Sequence, residues 1–436
     1  MADLLIYVRF VHFAATILVA GVVFSAAVVS NPAARLAGGK THAPADVKGW
    51  NQLLAWCALL LAVISGAGWL FLTAAAMSGQ KLVDVLPSGA LWTVLTETIF
   101  GHAVAIRLGL AVALAAIFLP LFSARSRNPV WLDVIAAIIA AAFAGGVAWE
   151  GHAAGGLGAE AISHPAADVL HLVAAAAWVG ALMPLAILLA VTGHTPDELD
   201  LARAATLRFS MLGMAAVSTL LATGLINTWY LVGSTKALLG TYYGKLLLFK
   251  LALFLGMITI AAFNWSRLTP ALVQTESGAA AQVARRRLYC SAMIEVTTGA
   301  IIIAIVAVLG TRPPANHANH HSTSGAIPAD AAFQHIHTDE GMADVMIEPG
   351  RIGTARATIR LWDDELETLP AQSLTLTLTA PGNKPVMSSA VQQPDAAWIV
   401  DGIQLPRAGN WNVEVDAILG TGKRLELRAP IVIDAK

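Results

Sequence analysis

His164, Asp168 and His171 stand at i, i+4 and i+7 in the segment "SHPAADVLHL". A helix there places two imidazoles and a carboxylate on one face. Such a set can converge on a metal ion, or the carboxylate can orient an imidazole that binds one. Pro165 suits a first helical position, which puts His164 where the helix is capped. The wider stretch, residues 150–172, also holds Glu150, His152 and Glu160 but not one Lys or Arg. Whether these groups can act together depends on the elements that carry them.

Those elements are membrane spans. The chain has 436 residues, of which 57% are hydrophobic and 13% charged, whereas an ordinary soluble domain carries about a quarter charged residues. Eight apolar runs are long enough to cross a bilayer, at 5–30, 51–77, 103–122, 130–149, 166–191, 207–233, 244–264 and 288–310. The first is too long for a signal-peptide core and is kept as a span. The odd-numbered loops hold eleven Lys or Arg and the even-numbered ones three. The odd loops are therefore expected to be cytoplasmic and both termini external. On that topology His12, His102, His152, His164 and His171 form one external layer, with His12 about two turns into the first helix and His102 capping the third. His42 and His194 fall in cytoplasmic loops. A lone histidine at a membrane boundary is ordinarily an interfacial amphipath, but five on one side, two sharing a helical face, favour metal ligation. Imidazole suits copper, zinc, iron or nickel alike, so the histidines do not name the metal.

Other polar residues inside the spans have simpler readings. Arg9, Arg107 and Lys250 lie near external ends, where snorkelling accounts for them. Glu295 is about 10 Å into the last span from the other side, and no partner is evident from the sequence. It is a candidate for a transport path or a neutral structural acid. Met211 and Met214 share a face, yet ten methionines in such a chain read as packing. Cys57 and Cys290 are far apart, without CxxC spacing, and read as small buried hydrophobes.

From Asn316 onward the character changes, with nine basic against fifteen acidic residues. A His- and Pro-containing linker, 313–332, carries His317, His320 and His321. Alternating segments follow at 354–361, 373–380, 398–403, 411–418 and 424–433, separated by turn signals. About seven short strands in about 100 residues fit a β-sandwich. In "HIHTDEGMADV" an extended chain points His335 and His337 to one side, a spacing that can chelate a metal or merely decorate an exposed strand. The expected fold is mainly α: an eight-helix transmembrane bundle (1–312), the linker, and a small all-β, immunoglobulin-like sandwich (333–436).

The segments "ADVLHLVAAAAWVGAL", "LRFSMLGMAAVSTLLATGLINTW", "YYGKLLLFKLALF" and "IEVTTGAIIIAIVAVLGTRPP" resemble the copper-resistance protein D (CopD) family. The tail, "HIHTDEGMADVMIEPGRIG" with "LPRAGNWNVEVDA", is similar to the YtkA-like sandwich sometimes appended to such domains. The resemblance implies a bacterial inner-membrane protein that handles copper, with its histidine-bearing side and C-terminal domain in the periplasm. It also implies copper as the bound or moved ion, and a periplasmic copper-binding protein as a partner. This sequence carries no CopC-like stretch ahead of the first span and no Met-rich segment, so the tail and linker histidines are the expected receptor.

Two other readings compete. Histidines on different helices, His12 and His171 for example, could ligate a b-type haem. Alternatively the tail could make the chain a copper sensor or assembly scaffold that transports nothing. No Walker motif or catalytic constellation points to an enzyme, and no nucleic-acid partner is expected. The loop charges yield a direct test: a reporter fused after Lys436 is active only outside the cytoplasm, and a cytoplasmic signal overturns the topology.

Overall fold

A computed structural model describes residues 2–36, 45–78, 80–121, 129–150, 160–193, 195–232, 234–275, 278–312, 328, 330–338, 341–362, 368–380 and 385–434. The chain divides into two compact units, Met1–Ala315 and Asn316–Lys436.

In the first unit eight helices are long and apolar enough to cross a membrane: α1 Asp3–Arg35, α2 Asp46–Ser78, α3 Ile99–Leu121, α4 Val130–Glu150, α5 Ser163–Val191, α6 Pro196–Val232, α7 Tyr242–Gln274 and α8 Ala279–Leu309. All eight expected runs are present. A helix satisfies its own backbone groups, which hydrocarbon cannot do. The α1 helix is the most enclosed and packs against α2, α4, α5 and α8, whereas α7 is the most exposed. Close approach of α1 and α5 depends on glycine. A Cβ on Gly180 would lie 2.2 Å from the Ile17 carbonyl oxygen, and one on Gly21 would lie 2.1 Å from the Gly180 carbonyl carbon. Small residues at a crossing let two backbones meet in this way.

Among the described residues three helices contain a π turn: Ser25–Ser30 in α1, Ala176–Gly180 in α5 and Asn264–Leu268 in α7. In each, one residue precedes a proline by four: Val28 before Pro32, Gly180 before Pro184, Ser266 before Pro270. Proline has no N–H to return to that carbonyl, and the extra residue of the π turn accommodates the break. The Val28 carbonyl instead accepts a hydrogen bond from Arg208 Nε at 2.9 Å.

The second unit is a sandwich of two antiparallel sheets, ordered β1-β2-β3-β7-β6 and β5-β4-β8-β9. Its strands are β1 Ala332–Thr338, β2 Gly341–Glu348, β3 Gly353–Trp362, β4 Ala371–Thr379, β5 Val386–Ser389, β6 Val391–Gln392, β7 Trp398–Leu405, β8 Gly409–Leu419 and β9 Arg424–Ile433. The alternating segments supply β3, β4, β7, β8 and β9, whose inward residues, among them Ile359, Leu376, Val413 and Leu427, fill the core. The described residues hold nine strands rather than about seven, because β5 and β6 are too short to show alternation.

Two expectations fail here. Cys57 and Cys290 are exposed on the helix surface, not buried, since a helix that is apolar all round gives no sign of which face is inward. The α5 helix is continuous from Glu160, so Pro165 lies inside it and His164 is not its cap.

The glycine crossing sets an expected outcome. Gly180→Ala should lower the melting temperature of the detergent-solubilised protein through an overpacking cost of about 1–3 kcal/mol. Gly256→Ala, where an added Cβ meets nothing within 4 Å, should not. Equal melting of both variants would remove the crossing as a constraint.

Candidate functional site

The histidine layer resolves into separate polar clusters. The first joins α1, α2, α3 and α4. Arg107 is 4% exposed, Glu150 7% and His12 2%. Arg107 donates from Nη1 to Glu150 Oε1 at 2.7 Å and to His12 Nε2 at 2.6 Å, from Nη2 to Thr16 Oγ1 at 2.9 Å, and from Nε to the Phe143 carbonyl at 3.0 Å. A guanidinium only donates, so His12 accepts at Nε2. Its Nδ1 therefore carries the proton and donates to the Ala62 carbonyl at 3.0 Å. In this arrangement the lone pair that a metal would need is already taken. Arg107 does not snorkel; it is a buried ion pair whose partner comes from another helix. Arg9 does not simply snorkel either: it donates to the Gly310 carbonyl at 2.5 Å and lies over Trp69 at 4.8 Å.

The second cluster lies between α5 and α6. Asp168 Oδ1 accepts from Asn227 Nδ2 at 2.6 Å, and its Oδ2 is 3.8 Å from His164 Nε2. The His164 ring stacks on Tyr230 with centroids 5.0 Å apart. His171 Nδ1 is 2.9 Å from Thr223 Oγ1, and that hydroxyl donates to the Thr219 carbonyl at 2.7 Å. Thr223 therefore accepts from His171, which fixes the tautomer and leaves Nε2 of His171 as its lone-pair nitrogen. His164 Nε2 and Asn227 Oδ1 are buried without hydrogen-bond partners among the described residues. Lys250, partly buried rather than snorkelling, lies within electrostatic reach of Asp168 and His171. Sequence reasoning missed Thr223, Asn227 and Tyr230 and gave Lys250 only as a snorkelling residue, although the polar run "NTWY" inside an apolar span was a signal.

The remaining candidates stand apart. His102 is exposed, with Nε2 2.8 Å from the Thr96 carbonyl; the cap of α3 is Thr98, whose hydroxyl accepts from Gly101 N at 2.9 Å. Glu295, 2% exposed, has a partner after all: Asn264 Nδ2 donates to its Oε1 at 2.7 Å, and Ser291 Oγ donates to Asn264 Oδ1 at 2.7 Å. In the second unit, His335 Nδ1 is 2.7 Å from Asp344 Oδ1, and Trp362 Nε1 donates to Asp344 Oδ2 at 3.1 Å. His152, His42, His194, His317, His320 and His321 lie outside the described residues, as does the side chain of His337. Among the described residues, no three His, Cys, Asp or Glu side chains stand together as a metal-holding group. His12 and His171, the pair weighed for haem, belong to different clusters.

The first cluster predicts a coupled stability effect. Arg107→Met leaves Glu150 charged and buried, a loss of about 3–5 kcal/mol. The double variant Arg107→Met, Glu150→Met should recover part of it in detergent melts. A single variant as stable as the wild type would rule the tie out.

Two family models match the chain: copper resistance protein D-like, N-terminal domain, over residues 1–162, and copper resistance protein D over 203–309. His12, Arg107, Glu150, Thr223, Asn227, Lys250 and Glu295 fall within these segments; His164, Asp168 and His171 fall between them. Copper resistance protein D of Pseudomonas syringae pv. tomato is 29% identical over 260 residues, 59% of this chain and 80% of that protein. Inner membrane protein YebZ of Escherichia coli (strain K12) is 34% identical over 169 residues, 38% of this chain and 55% of that protein. Copper transport protein CutJ of Bacillus subtilis (strain 168) is 37% identical over 98 residues, 22% of this chain and 18% of that protein. Both matched segments thus lead to one conclusion: the chain belongs to the copper resistance protein D family.

Proposed function

We propose that this chain is a copper-handling protein of the bacterial inner membrane that moves copper ions across it, and that His171 and the Asp168–His164 pair, one to two turns before it on α5, are successive contacts for the ion where it enters. The observation that carries the reading is the oriented imidazole. Thr223 holds Nδ1 of His171, so Nε2 is presented as a ligand, with a carboxylate and a second imidazole on the same helical face. Imidazole is a good copper ligand, and an outer hydrogen bond that fixes the ring is a common support of such sites. The family membership supplies the metal that the donor set leaves open.

On the loop-charge topology this end of the helices faces the periplasm, as do the termini and the C-terminal sandwich, and a periplasmic copper-binding protein would be the donor. Within the sandwich the same pairing of carboxylate and imidazole recurs at Asp344 and His335. We assign His335, with His337 two residues along β1, as copper ligands of that domain. His12 serves instead to anchor the Arg107 cluster. His102, which is exposed, takes part only as a surface group. No catalytic step is assigned.

The test is copper binding by the purified full-length chain. His171→Ala should weaken it at least tenfold, and Thr223→Val by about tenfold through loss of ring orientation. His102→Ala should leave it near the wild-type value. Equal effects of His171→Ala and His102→Ala would remove the assignment.

A further inference from the structure

Deeper in the first unit, α5, α6, α7 and α8 line a half-open pocket of about 370 Å³; Trp265 and Met214 in its lining are about half exposed. Two of the π turns help to build its wall: Trp178 comes from the one in α5, and Asn264 and Trp265 from the one in α7. Irregular turns of this kind recur at functional sites. Most of the lining is apolar, yet Glu295 of α8 also lines it. Asn264 holds one oxygen of that carboxylate, and Ser291 fixes the Asn264 amide. The other, Oε2, is buried and makes no hydrogen bond of ordinary length among the described residues, although the Trp178 indole also approaches this carboxylate as a donor. Met214 of α6 also lines the pocket.

The chemistry of this wall selects its occupant. An apolar guest would leave Oε2 unsatisfied in a low-dielectric site, a cost of roughly 1–3 kcal/mol or more. A cation would satisfy it, where a hydrocarbon guest would not. Size agrees as well: an ion with six waters at about 30 Å³ each needs roughly 180 Å³, which the pocket exceeds. Position agrees too. Trp178 is seven residues beyond His171 on α5, about 10 Å at the helical rise. Met214 is nine residues from Thr223 on α6, about 13 Å. The two helices that hold the outer cluster therefore also wall the pocket.

We propose that this pocket is a second, inner stop for the copper ion, with Glu295 as its anionic anchor and Met214 as a soft donor. The inference rests on the copper-moving reading above and adds to it a place where the ion waits between helices.

The experiment uses the full-length protein, with copper counted per chain after equilibration in detergent and copper entry followed into sealed vesicles. Glu295→Gln, isosteric and uncharged, should lose one equivalent of bound copper and slow entry at least tenfold. It should keep the equivalent that His171→Ala removes. Met214→Leu should weaken the inner equivalent, and Glu295→Asp should restore part of it, which separates ion binding from misfolding. If Glu295→Gln binds and moves copper as the wild type does while His171→Ala does not, the inner stop is wrong and the outer site stands. If His171→Ala leaves both copper equivalents in place while Glu295→Gln loses one, the outer assignment fails and the inner stop stands. If wild-type protein admits no copper into vesicles, both fall.

Discussion

In hydrocarbon, a polar group that finds no partner inside the protein has none. That constraint organises the membrane unit. Prolines and helix ends leave carbonyls without donors, and arginines supply them. Arg208 reaches the Val28 carbonyl beside the π turn of α1, and Arg9 reaches Gly310 at the end of α8. Arg203 donates to the carbonyls of Leu272 and Thr275 at the end of α7, and Arg285 to that of Leu189 near the end of α5. Three of these, Arg203, Arg208 and Arg285, are among the loop cations that indicate topology. The same guanidinium groups tie one helix to the next, so the charge bias and the packing are not independent features.

The constraint also separates histidines that the sequence makes look alike. His12 and His171 both sit near the same end of the bundle, and both have Nδ1 engaged. They differ in what meets Nε2. At His12 it is a guanidinium that bridges to Glu150. At His171 no arginine intervenes, and Asp168 and His164 share its helix face. A cation approaching the first would meet Arg107 against Nε2; one approaching the second would meet the Asp168 carboxylate, with Lys250 within electrostatic reach of both Asp168 and His171. Electrostatics thus divides a single layer into a structural part and a ligand-like part.

The spans were legible because twenty apolar residues in a row have few other uses, and β3, β4, β7, β8 and β9 because inward and outward residues alternate. The i, i+4, i+7 face of α5 was legible for the same geometric reason. Its partners were not: Thr223 and Asn227 lie more than fifty residues away, and nothing local marks which face of α6 meets α5. Arg107 was misread for a related cause. Its depth alone suggests snorkelling, while its counter-ion follows 43 residues later on another helix. Glu295 gave no sign of Asn264, because the π turn that positions Asn264 breaks the period used to assign faces.

That break has a wider consequence for how these helices are built. A π turn adds one residue without adding a turn, so everything beyond it is rotated in phase by about 100° relative to an uninterrupted α-helix. In α5 the residues up to Ala175 and those after Gly180 therefore belong to two angular frames. The first frame aims His164, Asp168 and His171 toward α6; the second aims Leu182, Leu185 and Leu189 into the packed core. One continuous helix can thus serve a polar surface and an apolar one that a single stripe would not reach. A lone inserted residue, stabilised by a proline four positions on, is enough to change which way half a span faces.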